Sequence, residues 1–390
     1  MRLWSVFLKT LREMSRDPWM LGLTMAFAPF FVFAYWVWFQ GGGSTVYPIA
    51  LLNLDQGAQQ ADGKMLQAGL EISTALDAIT YGDGKPLLKA LPVQTQAEAE
   101  ALIKNRSATA FLVIPEDFSH SVLALQNGDR AVSTQITFGG DLANPYYMVG
   151  VNLALTAADG YVQQASGQKP ILNYVEKPLG LSGARSEFET YVPGTLIFAV
   201  ILLIFLASMT VAREIETGAL RRLQITRLSA FELLGGISAA LTLVGVAAIA
   251  LAFGVALLLG FHSQGPVWVA LLVGAFTSLA IIGIGMLVAS LARSVSQAFV
   301  VANFPLGLMM FFSGVIFPMP KVALFTLFGH AISLYDILPP THAVNALNKV
   351  LTMGAGLGDV TFELGALVCL SLLYYIGGAL LFQRVHMRSG

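Results

Sequence analysis

Five histidines, one cysteine and a thin population of carboxylates are the side chains this 390-residue chain offers for chemistry. Their spacing withholds most of it. His120, His262, His330, His342 and His386 do not fall at metal-ligand intervals. No H-E-x-x-H or G-x-S-x-G sequence occurs. Gly82-Asp83-Gly84-Lys85 runs into Pro86 and lacks the spacing and hydroxyl of a phosphate-cradling loop, so it reads as a turn. Asp77, Asp83, Glu116 and Asp117 read as solvated carboxylates rather than acid–base pairs. Cys369 is alone in an apolar run, which excludes an internal disulfide and suggests a small lipid- or helix-facing residue. The expectation is a chain that is not an enzyme by itself and carries no cofactor.

One stretch has charge at a spacing with a use. Arg213 to Glu232 interleaves Arg213, Glu214, Glu216, Arg221, Arg222 and Arg227 with apolar Leu220, Leu223 and Ile225. It reads either as a solvated loop that merely obeys the bias of basic residues toward the cytoplasm, or as a short mixed helix that docks into a groove of a cytoplasmic partner.

Membrane elements have to hold these residues. From Leu233 to Gln383 the only Lys, Arg, Asp or Glu residues are Arg293, Lys321, Asp336, Lys349, Asp359 and Glu363. Six apolar runs come near the ~20 residues that cross ~30 Å of hydrocarbon: Leu21–Phe39, Pro193–Ala212, Leu233–Phe261, Val267–Leu291, Ala298–Phe317 and Leu364–Phe382. The chain is 12% charged, against about 25% for a soluble domain. Its net charge of −1 gives no footprint for nucleic acid. Leu21–Phe39 exceeds the ~7–15-residue core of a signal peptide and no small-x-small site follows it, so it is expected to stay as the first crossing.

Six crossings put both termini on one side. Arg2, Lys9, Arg12, Arg16, the arginines of 213–232, Arg293, Arg384 and Arg388 all fall there, and the positive-inside rule makes that side cytoplasmic. The opposite loop, His262 to Pro266, has no Lys or Arg. Trp4, Phe7, Leu8 and Leu11 predict an amphipathic helix in the interface before the first crossing. Gly283-Ile284-Gly285, inside the fourth crossing, reads as a small-residue packing surface. In the fifth, Phe304, Phe311, Phe312, Met309 and Met310 form a soft aromatic surface beside Asn303. That surface suits either an amphipathic substrate or plain helix packing and lipid contact. Residues 318–363 are apolar but broken by prolines and glycines. A pair of short re-entrant helices fits them, with two further crossings the alternative.

The block from Gln40 to Glu189 holds nine basic and fifteen acidic residues. Tyr47–Asn53, Leu91–Gln94, Ala108–Ile114 and Ser133–Thr137 read as strands. Lys64–Ile79, Ala97–Asn105 (with Thr95 as N-cap) and Pro145–Gln164 read as helices. The alternation predicts a small α/β domain. The fold expected is a polytopic α-helical membrane protein with six transmembrane helices, an inserted extracytoplasmic α/β domain and re-entrant helices before the last crossing. It divides into residues 1–39, 40–192 and 193–390, with a docking loop at 213–232 and a re-entrant segment at 318–363.

The residues from Glu214 to Leu228 resemble the E-x-x-x-G-[TS]-L-x-x-L-x-x-[TS]-P-[LV] segment of type-2 ABC exporter permeases. They depart from it with Ala219 before Leu220 and with Arg227 where a proline is common. Arg16-Asp17-Pro18, the run Phe111 to Phe118, Val192-Pro193-Gly194, Phe312 to Pro318 and Leu338 to Val344 are similar to further segments of the family, in the same order, so the resemblance spans essentially the whole chain. It implies a half-transporter in the lipid of the bacterial plasma (inner) membrane. Two permeases, identical or related, would pair around a pathway. Each would dock a cytoplasmic ABC ATPase subunit through Glu214, Glu216, Thr217, Gly218, Leu220, Arg221, Arg222 and Leu223. ATP and Mg would then sit on the partner chain. Family members export drugs, lipids, polysaccharides, peptides or ions; the fifth crossing suits an amphipathic or lipid-like compound. The alternative is a membrane-anchored receptor or assembly protein with no transport pathway, which would have no use for a docking helix.

Overall fold

The computed structural model describes residues 2–40, 46–81, 84–129, 131–142, 144–165, 167, 187–218, 229–316 and 322–387. It forms two compact units, residues 44–177 and residues 1–43 with 178–390.

The chain opens with α1 (Arg2–Arg16) and α2 (Pro18–Gln40). Pro18 stands at the first position of α2, where its missing N–H costs nothing and its fixed φ suits the helix. α1 buries Val6 and Thr10. The stripe expected from its apolar spacing lies elsewhere, with Trp4 exposed and stacked on Phe7 at 4.9 Å. One face of α1 therefore packs on protein and another is free for a membrane interface.

The α/β unit has β1 (Tyr47–Asn53), β2 (Ala58–Gln59), β3 (Met65–Leu66), α3 (Ala68–Asp77), β4 (Leu88–Val93), α4 (Gln96–Lys104), β5 (Ala110–Ile114), α5 (Phe118–Gln126), β6 (Thr137–Gly139) and α6 (Pro145–Ala165). The main sheet runs β4-β1-β5-β6, with β1 parallel to both neighbours and β6 antiparallel at the edge. The centre of β1, Ile49 to Leu52, is apolar and buried because both of its faces are covered. Ile49 and Leu51 pack with Ile72, Leu76 and Phe118 of α3 and α5, whereas Ala50 and Leu52 pack with Ala99 of α4. Thr95 caps α4, its hydroxyl accepting from Glu98 N at 3.2 Å. Past the end of β1, the Asp55 carboxylate accepts from Gly69 N at 3.0 Å and from Ser119 N at 2.8 Å, satisfying the first turns of α3 and α5 together. Tyr161 donates to Glu71 at 2.9 Å and fastens α6 to α3. Burial, then the Glu71 hydrogen bond, push that phenol well above its ordinary range.

The helical unit continues with α7 (Glu187–Ile201), α8 (Leu203–Glu216), α9 (Ala230–Leu258), α10 (Val267–Leu291) and α11 (Val295–Phe312). There follow a hairpin of β7 (Phe325–Leu327) and β8 (His330–Ile332), then α12 (Pro339–Leu347) and α13 (Thr361–Phe382). Six helical stretches are long and apolar enough to cross a membrane, each overlapping one of the runs expected from sequence. Their burial sorts them. The apolar windows of α7–α8, α9 and α10 are 72%, 44% and 67% buried, against 11%, 17% and 22% for α2, α11 and α13. The first set is the core of the unit, and the second presents side chains outward.

Apolar burial cannot drive helix association inside lipid, so close backbone approach has to do it. Gly283 and Gly285 provide that approach on two faces of α10. A Cβ at Gly283 would meet Tyr375 N of α13 at 2.8 Å, and one at Gly285 would meet the Ala207 Cβ of α8 at 2.7 Å. Gly236 does the same for α9, where a Cβ would meet Val6 of α1 at 2.6 Å.

Residues 322–360 hold one short buried helix and a hairpin, where the sequence predicted two short helices. α12 has nine residues and starts on Pro339 and Pro340. At 1.5 Å per residue it reaches about 14 Å, too short to cross the hydrocarbon. Ala343, Ala346 and Leu347 are nevertheless fully buried among the crossing helices. A turn of π-helix, Asn348–Thr352, follows. Lys349 reaches Glu363 at the start of α13 at 2.6 Å.

Candidate functional site at the end of the second crossing

α8 stops where its sequence tells it to. Thr217 N donates to Arg213 O at 3.0 Å, and the Thr217 hydroxyl donates to the same carbonyl at 2.7 Å. Gly218 takes φ +67° and donates to Ile215 O at 3.1 Å, the left-handed termination for which glycine carries no Cβ penalty. The chain is described again from Ser229, which caps α9 in a reciprocal box with Glu232: Glu232 N to Ser229 Oγ at 3.1 Å, Ser229 N to Glu232 Oε2 at 2.9 Å. That S-x-x-E signature was legible in the sequence, where the helix was expected to begin only at Leu233. Of the expected docking residues, Leu220, Arg221, Arg222 and Leu223 lie outside the described residues; Glu214, Glu216, Thr217 and Gly218 lie within them.

The two glutamates are engaged inside the chain. Glu214 accepts from Lys9 Nζ of α1 at 2.5 Å, with its side chain only 10% exposed. Its Oε2 is buried with no hydrogen-bond partner among the described residues. Lys9 also lies 3.6 Å from Glu13, one turn along α1. Beside the pair a cleft of about 40 Å³ opens between Thr10, Met14, Leu21, Met209 and Thr210, large enough for ordered water. Glu216 accepts from Val295 N at 2.7 Å, placing a carboxylate on the N-terminal end of α11, where the helix dipole favours negative charge. One helical turn of α8 thus carries a tie to α1 and a tie to α11. Sequence spacing could not show the first, because Lys9 and Glu214 are 205 positions apart.

On α11 the residues expected to line a pathway share one outward stripe. Phe304 is 75% and Phe311 58% exposed, with Asn303 beside them. Asn303 donates to Phe299 O of its own helix at 2.8 Å. Phe312 stacks on Tyr335 at 5.8 Å, and Met309 turns inward and is fully buried. Among the described residues no His, Cys, Asp and Glu cluster could hold a metal ion.

Six helices long and apolar enough to cross a membrane, several of them meeting at close-packed glycines, define a multi-pass membrane protein, with an α/β unit set into the chain after the first of them. The sequence profile of the ABC-2 family transporter proteins matches residues 18–380, and the chain belongs to that family. It is a permease-type membrane component of an ABC transporter. No curated protein and no solved structure matches the chain.

Proposed function

We propose that the chain is the permease subunit of an ATP-driven exporter. It pairs with a second permease, and each permease docks a separate ATPase subunit at the turn after α8. The observation that carries this reading is the pair of ties on the last turn of α8. A displacement imposed at Thr217, Gly218 and the following Leu220, Arg221, Arg222 and Leu223 would reach α1 through Glu214–Lys9 and α11 through Glu216–Val295. A receptor without a pathway has no use for such linkage. ATP and Mg belong to the partner ATPase. The test is reconstitution: the purified chain is expected to hydrolyse no ATP alone, and the ATPase subunit to show substrate-stimulated turnover only with it. Robust turnover by the isolated chain would sink the proposal.

Both termini and the segment between α8 and α9 are assigned to the cytoplasm, with residues 40–192 outside and the short helix α12 re-entrant from that outer side. The basic residues of 213–232 support this orientation. With Cys369 replaced, a cysteine at Gln126 should react with an impermeant thiol reagent on intact cells and one at Gln224 should not; the opposite pattern reverses the orientation.

The pathway is assigned to the seam between two permeases, lined by the Asn303, Phe304, Phe311 and Phe312 stripe, for an amphipathic or lipid-like compound. The exposure of this stripe on a membrane helix supports the assignment. Phe311→Ala should change which compounds stimulate the ATPase while expression stays near wild type. Lost expression with unchanged selectivity would make Phe311 a packing residue.

A further inference from the structure

One well-formed cavity in the helical unit is not on the α11 stripe. It is a cleft of about 630 Å³ between the β7–β8 hairpin and the first half of α13. That volume falls within the roughly 300–1,000 Å³ of sites that enclose a small ligand. Thr361, Phe362, Gly365, Ala366, Cys369 and Leu370, one face of α13, make one wall. Gly365, Ala366 and Cys369 are small, and together they form its trough. Leu327, Phe328, Ile332 and Ile337 make the other wall. Ser333, Asp336 and His342 lie at its base, already occupied with one another: Ser333 N donates to Asp336 Oδ2 at 2.7 Å, and His342 Nε2 lies 2.9 Å from Asp336 O. The base offers no unsatisfied polar group to a ligand, and the walls are almost wholly apolar. The ligand surface has to be hydrocarbon.

The depth of the cleft says which hydrocarbon. Thr361 begins a crossing helix, and Leu370 lies nine residues on, or about 14 Å at 1.5 Å per residue. That is half of the ~30 Å hydrocarbon layer. The cleft therefore spans a single leaflet, the one bordered by the 259–266 turn. That end of the unit is fixed by Gln264 N donating to Leu351 O at 3.0 Å. Phe328, at the hairpin tip, is 87% exposed, and Leu324 and Leu334 are 63% and 69% exposed around the mouth. An apolar trough with an apolar rim, open at leaflet depth, meets lipid chains before anything else.

We propose that this cleft holds one acyl chain of a phospholipid from that leaflet, gripped between the β7–β8 hairpin and the Gly365–Cys369 face of α13. The site requires only that α13 crosses the membrane. It does not depend on the exporter reading, on the orientation, or on the α11 stripe.

The experiment places the full chain in phosphatidylcholine vesicles doped with a phospholipid whose acyl chain carries a terminal diazirine. After illumination, adducts are mapped by mass spectrometry. The expected result is adducts concentrated on 324–337 and 361–370, about tenfold over the equally exposed Leu372, Leu373 and Ile376 of the same helix. Gly365→Leu should abolish that excess. A Cβ at Gly365 meets no atom within 4 Å, so this variant fills the trough without disturbing the fold, and an unchanged melting temperature verifies it. Cys369→Phe should do the same from the other end of the trough. Equal labelling of all exposed α13 residues, or an excess untouched by both variants, would mean ordinary surrounding lipid and overturn the proposal. So would absent adducts with a Cys369–Cys369 cross-link between two chains, which would make the cleft a seam between copies. None of these readouts requires transport or ATP, so the proposal and the exporter reading fail separately.

Discussion

Lys9→Met is expected to leave the chain in the membrane yet cut ATP-driven transport by the assembled complex about tenfold or more, with Lys9→Glu plus Glu214→Lys recovering most of it. Glu214 is nearly enclosed, its Oε2 has no partner among the described residues, and Lys9 Nζ at 2.5 Å is the cation that makes its charge tolerable. Removing one member of a fully buried pair costs about 3–5 kcal/mol, because the remaining charge is stranded. Lys9 is 38% exposed, so water replaces part of what is lost. About 2 kcal/mol remains, more than a tenfold change in any equilibrium that depends on α1 staying docked.

The charge swap separates linkage from local damage. If the pair carries motion, the two reversals are each harmful and together mild, a coupling that a double-mutant cycle reads directly. If the single reversals and the swap lose the same activity, α1 is held by Val6 against Gly236 alone, and the charge pair transmits nothing. Membrane insertion and ATPase binding, measured on the same variants, tell a transmission defect from a missing subunit.

The sequence made the long elements legible where one physical signal dominated. β1 was read at its full extent, because Ile49 to Leu52, covered on both faces, leave an unbroken apolar run that Asn53 ends. The Thr95 cap was read because a hydroxyl three residues before a glutamate has few other uses. α5 was not read at all: Ser119, His120 and Ser121 in its first turn mask the apolar spacing that follows. Residues 318–363 were read as a pair of short re-entrant helices, and the β7–β8 hairpin among them was not foreseen. Its two-residue turn, Phe328-Gly329, has φ +50° and +80°, a conformation that glycine signals at its second position and phenylalanine hides at its first. At the candidate site the sequence ended the second crossing at Ala212 and placed Gly218 within a short helix, whereas α8 runs on to Glu216 and Gly218 ends it with a left-handed φ. The partners of Glu214 and Glu216 were not legible, since Lys9 and Val295 reach them only through tertiary packing.

Gly283→Leu should prevent recovery of folded protein, whereas Gly254→Leu should be recovered at wild-type yield. Both glycines lie within crossing helices, and leucine is at home in lipid, so hydropathy predicts two harmless changes. Geometry separates them. A Cβ at Gly254 meets nothing within 4 Å; one at Gly283 falls 2.8 Å from Tyr375 N and 2.9 Å from Tyr374 C. The obstruction at Gly283 is backbone, which cannot rotate away as a side chain can, so α10 and α13 must part. Overpacking costs about 1–3 kcal/mol where side chains can shift, and more where they cannot. The separation would be felt further along the same seam. Gly378 of α13 packs there against Met286 and Gly283 O of α10, and the Ser371 hydroxyl donates to Phe276 O at 2.9 Å. Without water between lipid-embedded helices, no hydrophobic force pulls them back together. Size-exclusion profiles and thermal melts in detergent measure the difference, with Gly283→Ala expected between the two. Equal yields and melting temperatures for the Gly283 and Gly254 variants would show that α10 and α13 do not meet as closely as their backbones indicate.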